Sequence, residues 1–273
     1  MTLFMNFSFN HSCVLITGAS AGLGAEFARQ LAPHAATLIL VARRRERLEK
    51  LADDLKKKYP ELHVYLQVCD LTSIDEREKL VAWVREEELP LNFVINNAGL
   101  GNLGEFHDAS WQRIQGILDL NIGALTHLTH LLLPILRKQA PSALLQVGSI
   151  VGFFPIEGHA VYAASKAYVQ SFTQALHLEE EKHGVHVILL APGAVPTEFF
   201  KVASRLQEPI SLTSRSPACF ITSPEKVVAV ALEAVVKKRA IVIPNKLLSI
   251  VVQFLRFAPI FLFQKVFLKN KKR

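Results

Sequence analysis

The chain has 273 residues, half of them hydrophobic and a fifth charged, with a formal net charge of +7. That length can bury a substantial core, and the composition excludes a disordered chain. Three cysteines, Cys13, Cys69 and Cys219, lie far apart with no CxxC pair, which argues against a disulfide framework or a metal site and for a reducing compartment.

The first residues, MTLFMNFSFNHS, have no basic n-region and no apolar h-region of the needed length, so no signal peptide is expected. Short, β-branched, nearly continuous apolar runs then follow at 13–17, 37–42, 64–69, 93–96, 143–149, 185–191 and 240–244. Such runs mark strands covered on both faces, as in a parallel sheet. Amphipathic stretches such as RERLEKLADDLKKKY and IDEREKLVAWVREEE separate them. The alternation predicts an α/β fold: one Rossmann-like, doubly wound parallel sheet of about seven strands with helices on both faces. Cys13 and Cys69 fall in strand-like runs and read as buried small hydrophobes.

Residues 1–245 read as a single α/β domain. Within it, 198–222 break the rhythm and are expected to form a loop or lid over substrate. A helix restarts with Ser223 as N-cap and Pro224 at its first position. Charge is uneven along the chain: residues 234–273 hold ten Lys or Arg and no acid, so the preceding part is slightly acidic. Residues 246–273 read as a basic, apolar tail and are expected to be helical.

The stretch CVLITGASAGLGAEFARQL reads as strand, tight glycine turn and helix, with Gly18, Gly22 and Gly24 in GxxxGxG spacing. Glycine backbones let a pyrophosphate approach, and a helix N-terminus offers unpaired N–H groups and a positive dipole end. The spacing differs from GxGxxG, so the triplet gains its meaning from its place after the first strand. The second strand ends LVARRRERL, with Arg43 where an NAD site usually has an acid. An arginine there suits a 2′-phosphate and favours NADP(H). The plainer alternative is a solvated helix start with Arg45–Glu49 and Glu46–Lys50 pairs.

Tyr162 and Lys166 are four apart and share a helix face, while Ser149 closes the strand before them. The carboxyl ends of the strands open onto the ligand crevice of a doubly wound sheet. In order along the chain stand TGASAGLG, CDL at 69–71, NNAG at 96–99, Asn121 in DLNIG, Ser149, YAASK at 162–166 and PGAVPT at 192–197. With these pieces the chain resembles the short-chain dehydrogenase/reductase family over residues 13 to 245. The resemblance implies Tyr162 as general acid, Lys166 lowering its pKa and holding the nicotinamide ribose, Ser149 binding the substrate carbonyl, and Asn121 anchoring a water in the proton relay. It also implies NADP(H) contacts from Gly18, Ser20, Gly22, Leu23, Gly24, Arg43, Asp70, Leu71, Asn97, Ala98, Gly99, Tyr162, Lys166, Pro192, Gly193, Val195 and Thr197. Ala21 departs from the basic residue that many NADP-using relatives carry in the turn. His107 and His159 read as ordinary loop histidines.

Phe153, Phe154, Phe199 and Phe200, with Ser149, are expected around the substrate, an apolar wall suited to a lipophilic carbonyl compound, or else packing for the lid. The implied protein is an NADP(H)-dependent reductase of such ketones; the alternative is a non-catalytic NADPH-binding regulator. No nucleic-acid partner is expected, and the family resemblance implies a homodimer or homotetramer through helices near 110–138 and 159–183. The tail, interrupted by Arg256, Pro259 and Lys265, suits an interfacial segment on anionic lipid better than a membrane span. Folding over the pocket and contacting another subunit stay open for it. The expected location is cytoplasmic, with peripheral contact to the cytosolic face of a membrane. The ending KNKKR also resembles a dilysine-type retrieval signal.

Overall fold

A computed structural model describes residues 7–204 and 217–257. Seven strands form one sheet: β1 (Cys13–Thr17), β2 (Thr37–Ala42), β3 (His63–Val68), β4 (Leu91–Asn96), β5 (Ser142–Val147), β6 (Val185–Leu190) and β7 (Ile241–Val242). All pairings are parallel, in the order β3-β2-β1-β4-β5-β6-β7. The chain runs outward from β1 to one edge, then returns to build the other from β4. This places the topological switch point between β1 and β4, where the strand ends leave a crevice.

Strand alternation divides the interior into two layers. Val14, Ile16, Leu38, Leu40 and Ile95 face α1 (Gly22–Leu31), α2 (Arg45–Lys58) and α8 (Pro224–Val236) through Phe27, Leu31, Leu48 and Val228. Leu15, Ile39, Val41, Val94 and Val187 face α3 (Ile74–Glu86), α5 (Leu125–Lys138) and α6 (Ala160–Glu180) through Leu80, Val84, Leu132 and Leu176. The short helices α4 (Trp111–Leu118) and α7 (Glu198–Ser204) cover the crevice end, and α9 (Lys246–Phe257) follows β7. Ser223 caps α8 as expected, accepting from the Lys226 amide at 3.4 Å.

Among the boundaries that differ from the sequence reading, three have a local cause. Strand β5 stops at Val147, so Ser149 lies two residues past it, in extended backbone, and caps a single 3-10 turn at Ile150–Gly152. Strand β7 keeps only two residues at the sheet edge, its neighbour Pro244 having no N–H to donate. The helix expected near 110–138 is interrupted by a π turn at Asp119–Ala124 that divides α4 from α5. Cys13 and Cys69 are buried, and burial pushes their thiols up to about 12 and about 11. They pack as inert small hydrophobes.

By length and composition Trp111–Lys138 could cross a membrane. Its Ile117, Leu128, Leu132 and Leu136 are buried in the protein, as in a core helix. Residues 205–216 of the expected lid and 258–273 of the expected tail lie outside the described residues.

Candidate active site

At the end of β1, Gly18 and Gly24 of the glycine turn are packed too closely for a side chain. Gly18 and Gly22 have φ of +67° and +54°, where only glycine is unstrained. A Cβ on Gly24 would lie 2.3 Å from the Gly18 carbonyl oxygen, so α1 can start against the turn only without one. Ala21 occupies the N-cap and offers no side-chain acceptor, leaving amides at the helix start for an outside anion. This cradle fits the pyrophosphate of a dinucleotide.

Thr17 ties the turn to β4. Its hydroxyl donates to the Ile95 carbonyl at 3.3 Å and accepts from the amides of Asn97 and Ala98 at 2.9 and 3.0 Å. The Asn97 side chain donates back to the Thr17 carbonyl at 2.9 Å. Sequence reasoning assigned Asn97, Ala98 and Gly99 but gave Thr17 no role, because a strand-end threonine carries no distinct signal.

Just past β3, Asp70 accepts from the Thr72 amide at 3.0 Å and hydroxyl at 2.8 Å, and Arg43 approaches it at 3.8 Å. Burial pushes the Asp70 carboxyl up, but the Thr72 hydrogen bonds and the Arg43 charge outweigh this and hold it below the usual carboxylate value. The Leu71 carbonyl accepts from the buried Arg77, which also donates to His127 Nδ1 at 3.0 Å. Arg44, and not Arg43, reaches the glycine turn: its Nε and Nη2 donate to Ser20 Oγ at 3.2 and 3.1 Å. Arg44 and Arg47 also donate to Glu198 at 3.0 and 2.7 Å. Neither Arg44, Arg47 nor Glu198 was singled out in the sequence, and a contact between residues 154 positions apart leaves no local pattern.

At the other end of the crevice, Ser149, Tyr162, Lys166 and Asn121 converge, and all four are buried. The 3-10 turn after Ser149 lies on α6 because Gly152 has no Cβ; one would meet the Lys166 carbonyl at 2.6 Å. Lys166 Nζ donates to the Val147 carbonyl at 2.8 Å and stands 5.9 Å from the Tyr162 ring centre. The π turn buries Asn121, whose Oδ1 accepts from the Leu100 amide at 2.8 Å and whose Nδ2 donates to the Leu100 carbonyl and to Ser165 Oγ. Ser165 donates on to the Tyr162 carbonyl at 2.7 Å, tying the turn to α6. A Cβ on Gly99 would come 3.3 Å from Asn121 Oδ1 and 3.5 Å from Lys166 Nζ, so Gly99 marks where these groups meet.

Burial pushes the Tyr162 phenol up to about 12, with a hydrogen bond from Ser149 pulling the other way, and pushes the Lys166 ammonium down to about 8. The Phe199 ring lies 5.6 Å from that of Tyr162 and presses on Gly101. Phe153 packs instead against Leu125, Val169, Leu189 and Ala191. Phe154 and Phe200 are half-buried. His159 lies 6.4 Å from the Tyr162 ring, and His107 is exposed and paired with Asp108.

The loop after β6 closes the site from a third side. The Pro192 carbonyl accepts from Ile150, and Leu248 of α9 packs where a Cβ on Gly193 would stand. Val195 packs on the core layer, and Thr197 lies over the glycine turn, 3.3 Å from a Cβ built on Gly22. Leu23, at the start of α1, also packs against that layer.

Comparison with known proteins agrees with this fold. The family model for short chain dehydrogenase matches residues 12–208. The chain is 37% identical over 192 residues to a sulfoacetaldehyde reductase of Chromohalobacter salexigens, covering 68% of this chain and 74% of that protein. It is 32% identical over 226 residues to a very-long-chain 3-oxoacyl-CoA reductase of Phaeosphaeria nodorum, covering 80% and 61% respectively. A solved short-chain dehydrogenase from Sphingobium yanoikuyae, in complex with NADPH, superimposes with a TM-score of 0.75 at 31% identity over 86% of this chain and 88% of that one. The chain belongs to the short-chain dehydrogenase/reductase family. It is an oxidoreductase acting on CH–OH and C=O groups.

Proposed function

We propose that the protein is an NADP(H)-dependent reductase of lipophilic ketones, with Tyr162 as the proton donor. The observation that carries this reading is the convergence of buried Ser149, Tyr162 and Lys166 beneath the Phe199 ring. The cofactor, when bound, supplies the hydride. Tyr162 keeps its proton through the physiological range and gives it to the carbonyl oxygen. Ser149 holds that oxygen in place. Lys166, charged below about pH 8, holds the ribose hydroxyls and favours the ionised phenol left behind. Asn121, fixed at the π turn, anchors the water through which the proton is replaced.

Gly18, Gly22, Leu23 and Gly24 would seat the pyrophosphate, Asp70 and Leu71 the adenine, and Asn97, Ala98, Gly99, Pro192, Gly193, Val195 and Thr197 the nicotinamide half. Preference for the 2′-phosphate rests on Ser20 with Arg43, Arg44 and Arg47, and the NADPH complex of the Sphingobium relative supports it. Phe199 and Phe200, on α7, would line the substrate space beside Tyr162; Phe153 and Phe154 follow Ser149. The 3-oxoacyl-CoA reductase among the relatives supports a long apolar substrate.

The same reading extends to assembly and location. Helix α9 turns Leu247, Ile250 and Phe254 outward while Leu248 and Val252 are buried. With the basic residues beyond it, that face suits peripheral contact with anionic lipid on the cytoplasmic side. The exposed Tyr168 and Leu178 on α6 suit a homodimer or homotetramer contact.

The test is NADPH oxidation by the full-length protein against ketones of graded apolar length, with sulfoacetaldehyde in the panel. Rates rising with chain length are the expected result. Fast turnover of sulfoacetaldehyde with flat, slow rates on long ketones overturns the lipophilic reading. NADPH binding without turnover on any carbonyl favours the regulatory alternative.

A further inference from the structure

We propose that the Glu198 carboxylate is a resident competitor for the 2′-phosphate of NADP(H), occupying Arg44 and Arg47 until a 2′-phosphorylated cofactor displaces it; this rests on the NADP(H) reading above. The start of α2 gathers Arg43, Arg44, Arg45 and Arg47, with Glu46 the acid in its first turn. Cations there oppose the helix dipole, so the arginines call for an anion. Glu198 supplies one from α7: Arg47 Nη1 reaches both carboxylate oxygens at 2.7 Å, and Arg44 Nη1 reaches Oε2 at 3.0 Å.

The place of this contact gives it meaning. Arg44 also holds Ser20 Oγ inside the glycine turn, so the guanidinium is fixed beside the dinucleotide cradle. Thr197, next to Glu198, lies over Gly22. The two arginines are therefore placed for the ribose end of a cofactor and already carry a counter-charge. The Arg47 and Arg44 hydrogen bonds hold the Glu198 carboxyl below its usual value, so it stays anionic at any working pH.

The exchange is physically accessible. Arg47 and Glu198 are each nearly half exposed, so releasing the carboxylate to water costs little. A phosphate monoester brings close to two charges and three acceptor oxygens against one charge and two oxygens. The far end of α7 stays anchored, since its Ala203 carbonyl accepts from the Leu103 amide at 3.0 Å and its Val202 carbonyl from Arg113 at 3.0 Å. Only the end carrying Glu198 needs to yield. NAD(H) lacks the 2′-phosphate and does not compete for the pair.

Binding of NADP⁺ and NAD⁺ by calorimetry, on full-length wild type, Glu198→Gln and Arg47→Ala, tests this. Gln keeps the shape at an exposed position and removes the charge. The expected result is NADP⁺ binding about threefold to tenfold tighter in Glu198→Gln, with NAD⁺ changed less than about twofold. Unchanged or weaker NADP⁺ binding in that variant overturns the proposal. If Arg47→Ala still loses the preference for NADP⁺, the NADP(H) reading survives that failure. If neither wild type nor Glu198→Gln prefers NADP⁺ over NAD⁺, both fall.

Discussion

The two ends of the crevice handle charge in opposite ways. Around Tyr162 and Lys166 the groups are almost dry, with exposures of 9% and 4%, and burial pushes the phenol up to about 12 and the ammonium down to about 8. Beside Ser20, the side chains of Arg44, Arg47 and Glu198 are close to half exposed, and their contacts are ion pairs that water and salt weaken. On the proposed mechanism, desolvation sets the chemistry at the first end, where the phenol is to keep its proton until a carbonyl accepts it. Exchangeable counter-charge sets affinity at the second, where a ligand must arrive and leave.

The largest expected effect breaks the dry end. Tyr162→Phe keeps the ring that packs against Phe199 and removes only the donor. Turnover of the best ketone should fall by about 10²- to 10⁴-fold, the range for losing a positioned acid. NADPH affinity, to which the glycine turn, the arginines and Lys166 still contribute in this reading, should stay within a few-fold. Steady-state rates and cofactor titration on the same preparation separate the two. Near-normal reduction by this variant would remove Tyr162 from the mechanism.

Lys166 gives a second contrast, read through pH. Its folded pKa, about 8, lies below the ordinary lysine value of 10.5. Between those values the unfolded chain holds the proton and the folded one does not, so this group makes the ligand-free protein more stable as pH rises through that window. The rise is on the order of 3 kcal/mol if the shift is fully expressed. Tyr162 acts in the other direction at higher pH: its folded pKa of about 12 exceeds the ordinary 10, so its contribution is lost above pH 10. Denaturant melts from pH 7 to 10 should show the increase in wild type and lose it in Lys166→Met. Over the same range kcat/KM for NADPH, which reports the free enzyme, should fall above about pH 8 as the ammonium loses its charge.

The dry end was largely legible in the sequence and the wet end was not. Ser149, Tyr162 and Lys166 sit on or just past elements whose periodicity is plain, so a strand end and an i,i+4 helix spacing bring them together. Strand runs were visible because each lies buried on both faces, and the glycine turn because its backbone tolerates no Cβ. The π turn escaped notice: 110–138 carries a helical pattern throughout, and only the burial of Asn121 shows why one turn is widened. Ser149 was placed on the strand because its apolar neighbours continue, although β5 pairing ends at Val147. Arg44, Arg47 and Glu198 depend on two segments meeting across the crevice, which no local pattern encodes. The sequence points to Arg43 and its neighbours after β2 without separating them; in the structure Arg43 turns towards Asp70 and Arg44 towards Ser20.

The smallest effect sharpens the wet end. In the ligand-free protein, Arg47→Ala removes an exposed pair with Glu198, and such pairs contribute about 0.2–1 kcal/mol. Arg44 still holds the same carboxylate at 3.0 Å, so part of that contribution remains. The loss in unfolding free energy should therefore stay under about 1 kcal/mol and shrink further in 0.5 M salt, where the Debye length is only about 4 Å. Removing a partner from a buried pair leaves a charge stranded and costs about 3–5 kcal/mol. A loss of that size in Arg47→Ala, insensitive to salt, would mean that the arginine cluster is built into the fold like the dry end, and that its counter-ion is structural and not exchangeable.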